Sequence, residues 1–69
     1  MTIYDNVSEI AKRKKISIAE IEKRAGLGNG VIGQWRTAYP HVNSLMAVAK
    51  VLSVTVNRLI EGVSIERTV

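Results

Sequence analysis

Apolar residues recur along this chain at helical spacing, and short polar or glycine-bearing breaks divide the pattern into successive helical segments. Ile3, Val7, Ile10 and Ala11 share one side of a first helix, predicted over residues 3–14, while Asp5, Glu9, Lys12 and Arg13 take the other sides. Thr2 is placed to accept from the amides of the first turn. Asp5 stands at the positive end of the helix dipole and Lys12 to Lys15 at the negative end. Ser17-Ile18-Ala19-Glu20 has the S-x-x-E spacing of a capping box, in which hydroxyl and carboxylate each satisfy an orphaned backbone amide, so a second helix starts at Ile18. Its predicted buried side is Ile18, Ile21 and Ala25. Gly26 offers the left-handed stop, with Leu27 as its hydrophobic contact. Gly26-Leu27-Gly28 fits a tight turn, after which Val31, Ile32 and Trp35 set a third helix from Asn29 to Arg36.

Thr37-Ala38-Tyr39-Pro40 reads as a loop, because proline restricts the residue before it and cannot sit inside a helix. Val42, Leu45, Val48, Ala49 and Leu52 then make the clearest periodic set in the chain, a fourth helix with a core face. Ser53-Val54 breaks that pattern. Thr55 can cap again, Val56, Leu59 and Ile60 form a short fifth helix, and Gly62 ends it, leaving Val63 to Val69 as a tail. The expectation is an all-α, compact five-helix fold in a single domain over residues 1–69, with its packed part at about 3–62.

Composition narrows what such a domain does. A chain of 69 residues buries a limited fraction of its surface, and 46% hydrophobic residues without Phe imply an aliphatic core. Zero Cys excludes disulfides, thiol nucleophiles and thiolate metal sites, and a single histidine, His41, gives a metal no second imidazole. With no Gly-rich phosphate loop and carboxylates expected on solvent faces, neither an enzyme nor a cofactor is expected. Met1 to Asn6 lack the basic start and apolar run of a signal peptide, and no stretch approaches a membrane span, so the expected location is the cytoplasm. The net charge of +4 attracts polyanions, of which nucleic acid is the commonest.

Two short helices joined by a Gly-containing turn make a helix-turn-helix, whose second helix leaves one flank without core duty and is narrow enough to enter a major groove. The run Ser17-Ile18-Ala19-Glu20-Ile21-Glu22-Lys23-Arg24-Ala25-Gly26-Leu27-Gly28-Asn29-Gly30-Val31-Ile32-Gly33-Gln34-Trp35 resembles the helix-turn-helix of the lambda-repressor/Cro-like family, also called the xenobiotic-response-element family. The likeness extends through Pro40, Leu45, Ala49, Leu52, Val54 and Leu59, and so covers about residues 3 to 62. It implies that Asn29, Gly30, Val31, Gly33 and Gln34 face the bases. Of these, Asn29 and Gln34 carry amides that pair with adenine and Val31 can touch a thymine methyl, while the glycines offer backbone approach only. Asn29 serves equally well as the N-cap of the third helix, and Gln34 as a solvated helix former. Ile18 departs from relatives that carry a phosphate-holding Gln there.

Ser17, the amide at Ile18, Arg36, Thr37, Tyr39 and His41 lie on the expected phosphate-facing rim, with Arg36 foremost. Lys12-Arg13-Lys14-Lys15 reads first as dipole complementation and solubility, Trp35 as core, and Lys23 and Arg24 as partners of Glu20. The implied partner is double-stranded DNA, bound by a homodimer whose interface is sought at the fifth helix, Val63, Ile65 and Val69. The alternative is an antirepressor-type module of the same fold, in which the smooth face of Ile18, Gly30, Val31 and Gly33 packs on a partner repressor protein.

Overall fold

The computed structural model describes residues 2–63, and Ile65 and Val69 of the expected dimer interface lie outside them. The elements are α1 (Ile3–Lys14), α2 (Ile18–Ala25), a 3-10 helix (Ile32–Arg36), α3 (Val42–Leu52) and α4 (Val56–Ile60), with no strand among the described residues. The all-α expectation holds. The third predicted helix is the exception, being shorter and more tightly wound than its periodicity suggested.

Side chains close by in sequence cap the starts of α1, α2 and α4, and left-handed residues end α1, α2 and α3. At α1, Thr2 Oγ1 accepts from the Asp5 amide at 3.2 Å, and the Asp5 carboxylate accepts from the Thr2 amide at 2.9 Å. This reciprocal pair satisfies two groups that no helical carbonyl reaches. Ser17 Oγ and Thr55 Oγ1 cap α2 and α4 by accepting from Glu20 and Arg58. At α2 the carboxylate of the expected box turns elsewhere: Glu20 accepts from Arg24 at 2.8 Å, one turn on. Gly26 ends α2 at φ 73, and the Leu27 amide reaches the Glu22 carbonyl at 2.8 Å, as the stop signal implied. α1 and α3 end in the same left-handed way at Lys15 and Ser53, both at φ 57.

One core joins all the elements. Ile3, Val7, Ile10 and Ala11 of α1 meet Ile21 of α2, Ile32 and Trp35 of the 3-10 helix, Leu45, Val48, Ala49 and Leu52 of α3, and Leu59 of α4. α2 packs on α3, while α1 supports the 3-10 helix and α4. Asn6, buried on α1, donates from its side-chain amide to the carbonyls of Leu59 at 2.7 Å and Glu61 at 2.8 Å, tying down the end of α4. Those carbonyls belong to the set a helix end leaves unpaired.

Two sequence expectations about burial are corrected. Val42, assigned to the core stripe of the fourth helix, is 69% exposed, because it is the first residue of α3 and stands a turn before that helix reaches the core at Leu45. On α2 the buried residues are Ile21 and Glu22, whereas Ile18 and Ala25 are half-buried. A carboxylate expected in solvent is therefore inside, and what it meets there shapes the candidate site.

Candidate nucleic-acid interface

The segment from Gly26 to Arg36 is built from backbone constraints before any side chain faces outward. Gly30 sits at φ 90, a conformation that side-chain-bearing residues rarely adopt, and it interrupts regular helix geometry. The helical part consequently begins only at Ile32, not at Asn29. The Val31 amide bonds to the Gly28 carbonyl at 3.2 Å, and the Gln34 amide to the Val31 carbonyl at 3.1 Å. Val31 occupies the N-cap position without a side-chain cap, so Asn29 is not the cap of this helix.

Glu22 supplies the missing acceptor from the neighbouring helix. Its Oε2 accepts from the Gly30 amide at 3.1 Å and the Ile32 amide at 2.9 Å, and its Oε1 lies 3.2 Å from the same Gly30 nitrogen. The Gly30 amide is thus engaged by Glu22 on the inner side of the turn. Glu22 was missed in the sequence. The signal was its position four residues after Ile18 and three before Ala25, on the apolar side of α2, where a carboxylate needs an internal partner.

Ile32 and Trp35 anchor the inner flank of the segment at 0% and 5% exposure, and the outer flank presents Asn29, Gly30 and Gln34 as exposed residues. Val31 and Gly33 are half-buried. A Cβ placed on Gly33 would meet nothing within 4 Å, so this part of the flank is open.

The residues expected on the phosphate-facing rim fall into separate places. Arg36, Thr37 and Tyr39 border a hollow shared with Thr2, Ile3 and Trp35, beside the start of α1. The Arg36 guanidinium carbon lies 4.3 Å from the centroid of the Tyr4 ring, a cation–π contact that fixes the side chain against α1. Its charge also acts on Asp5, whose carboxyl is held below its ordinary pKa chiefly by the hydrogen bond from the Thr2 backbone, with Arg36 as a lesser contributor. Ser17 instead lines a groove with Lys14, Lys15 and Arg24. Lys14 and Lys15, read from sequence as solubilising charges, therefore flank the start of α2. Ile18 is half-buried, and His41 stands exposed at the N-cap of α3 without a side-chain cap bond.

Among the described residues no three His, Asp or Glu side chains converge on a possible metal site, and no helix is long and apolar enough to cross a membrane. The fold and this two-element unit define a helix-turn-helix domain of the lambda-repressor type. Among solved structures the chain is similar to the P22 c2 repressor, determined in complex with synthetic operator 9T in the presence of Tl+. The two share 26% identity and a TM-score of 0.79 over 90% of this chain and 97% of that one. No protein-family model matches the chain, and no curated protein matches it.

Proposed function

We propose that this chain binds double-stranded DNA sequence-specifically as a small transcriptional regulator of the repressor or Cro type, with the 3-10 helix in the major groove. The observation that carries the reading is the likeness, over nearly the whole of both chains, to a repressor determined on its operator. On this reading Asn29 and Gln34 pair with bases, Val31, Gly30 and Gly33 provide close approach, and Ser17, Ile18, Arg36, Thr37, Tyr39 and His41 meet phosphates. The net charge of +4 favours the encounter. The chain acts as one domain over residues 1–69, in the cytoplasm, without catalysis, and as a homodimer on two half-sites about one helical turn, ~34 Å, apart.

Selection from a pool of random duplexes, followed by anisotropy titration, tests the reading. Wild type is expected to enrich one sequence, and Gln34→Ala to lose about 1–3 kcal/mol of discrimination at a single base pair. Arg36→Gln is expected to flatten the dependence of log affinity on log salt by about one unit. Failure to enrich any sequence overturns it.

A second reading, docking on a partner repressor protein, is favoured by a specific feature. Tyr39, Val42 and Met46 are large apolar side chains exposed by 59%, 69% and 55%, and Val42 and Met46 lie one turn apart on α3. Protein interfaces are built around such anchors. A Met46→Asp variant that abolishes a repressor complex while leaving DNA affinity unchanged would favour this reading over the first.

A further inference from the structure

The stretch Gly28-Asn29-Gly30 carries a proposed base reader between two glycines, the residues that lose the most backbone freedom on ordering. A Cβ at Gly30 would meet nothing within 4 Å, so no neighbouring atom braces the outer side of this residue. What holds it from inside is Glu22. Glu22 is 4% exposed, and its carboxylate accepts from the amides of Gly30 and Ile32, on either side of the half-buried Val31. Hydrogen bonds to an ionised acceptor are stronger than neutral ones, and stronger again away from water.

We propose that Glu22 is a positioning residue for sequence readout: by gripping the amides of Gly30 and Ile32 it fixes the turn that presents Asn29 and Gln34, and it governs sequence preference rather than general affinity for DNA. The proposal rests on the DNA-binding reading above. Lys14, Lys15 and Ser17, which border their own groove, are not held by this grip, so attraction to phosphates survives its loss.

The test compares wild type with Glu22→Gln, which keeps the side chain's shape but replaces one acceptor oxygen by a donor. Binding is measured to a selected duplex and to a scrambled duplex of equal length, at a temperature where Trp35 fluorescence reports a folded variant. The selected-to-scrambled affinity ratio is expected to fall about tenfold with scrambled affinity unchanged. Amide exchange at Gly30 and Ile32 should accelerate while that at Val7 and Leu52 does not. If both affinities fall together, or if ratio and exchange are unaltered, the proposal is overturned. Should Glu22→Gln not fold, Glu22→Asp, shorter by one methylene, takes its place. If wild type binds neither duplex the DNA reading fails by itself, and faster exchange at Gly30 and Ile32 still supports the grip while unchanged exchange overturns it.

Discussion

The start of α2 and the start of the 3-10 helix are secured in different ways. Ser17 Oγ accepts from the amide of Glu20, three residues along the chain, so α2 carries its own beginning. The 3-10 helix has no side-chain cap at Val31, and the amide of its first residue, Ile32, together with that of Gly30 just before it, goes to a carboxylate eight to ten residues earlier, on another helix. The difference separates two kinds of order. A local cap acts wherever the helix forms, whereas the Glu22 grip exists only once Ile21, Ile32 and Trp35 have brought the two elements together. The flank with the proposed readers is thus the part that depends most on the whole fold being in place.

The largest effect should come from removing the anchor of the dependent element. Ile32 is fully buried, and Ile32→Ala is expected to lower the stability of the domain by about 2–5 kcal/mol in urea denaturation, through lost burial and a residual cavity. A loss below about 1 kcal/mol would mean that the recognition segment is not integral to the core. Ser17→Ala should cost about 1 kcal/mol, with faster amide exchange concentrated in the first turn of α2. Exchange spreading equally into Gly30 and Ile32 would erase the distinction between the two starts.

The smallest effect concerns α1, whose cap is also local. The Asp5 carboxyl is held below its ordinary pKa, first by the Thr2 backbone hydrogen bond, with the N-terminal charge and Arg36 adding to it. A carboxyl depressed in the folded state stabilises that state above its unfolded pKa of about 3.9, and the contribution disappears as pH falls through the lower folded value. The stability gap between wild type and Asp5→Asn should therefore narrow as the solution is acidified below about pH 4. Because Asp5 is exposed, the change is modest, and a gap that stays constant through that range would exclude the link.

Much of the architecture was legible in the sequence, and the legible parts share one property. Thr2, Ser17, Thr55 and Gly26 act on groups within a few residues of themselves, and the starts of α1, α2 and α4 and the end of α2 follow from them. The Glu20–Arg24 pair, spaced one helical turn apart, was legible for the same reason. Val42 shows where this reasoning stops, since periodicity says which side of a helix is apolar but not where the neighbouring elements end. In the candidate site, the identity and exposure of Asn29 and Gln34 could be read from the pattern. The geometry that presents them could not.

The sequence by itself determined the helical class, the helix boundaries set by local caps and stops, and the two-element unit marked by Gly26 and the Val31, Ile32, Trp35 spacing. Only the tertiary structure decided that Glu22 turns inward, that Gly30 delays the helix until Ile32, that Arg36 rests on Tyr4, and that Asn6 holds the end of α4. The first group depends on interactions within one or two turns, whose partners are set by covalent distance. The second joins groups 8 to 55 positions apart, such as Glu22 with Gly30 and Asn6 with Glu61, whose meeting depends on how every intervening element packs.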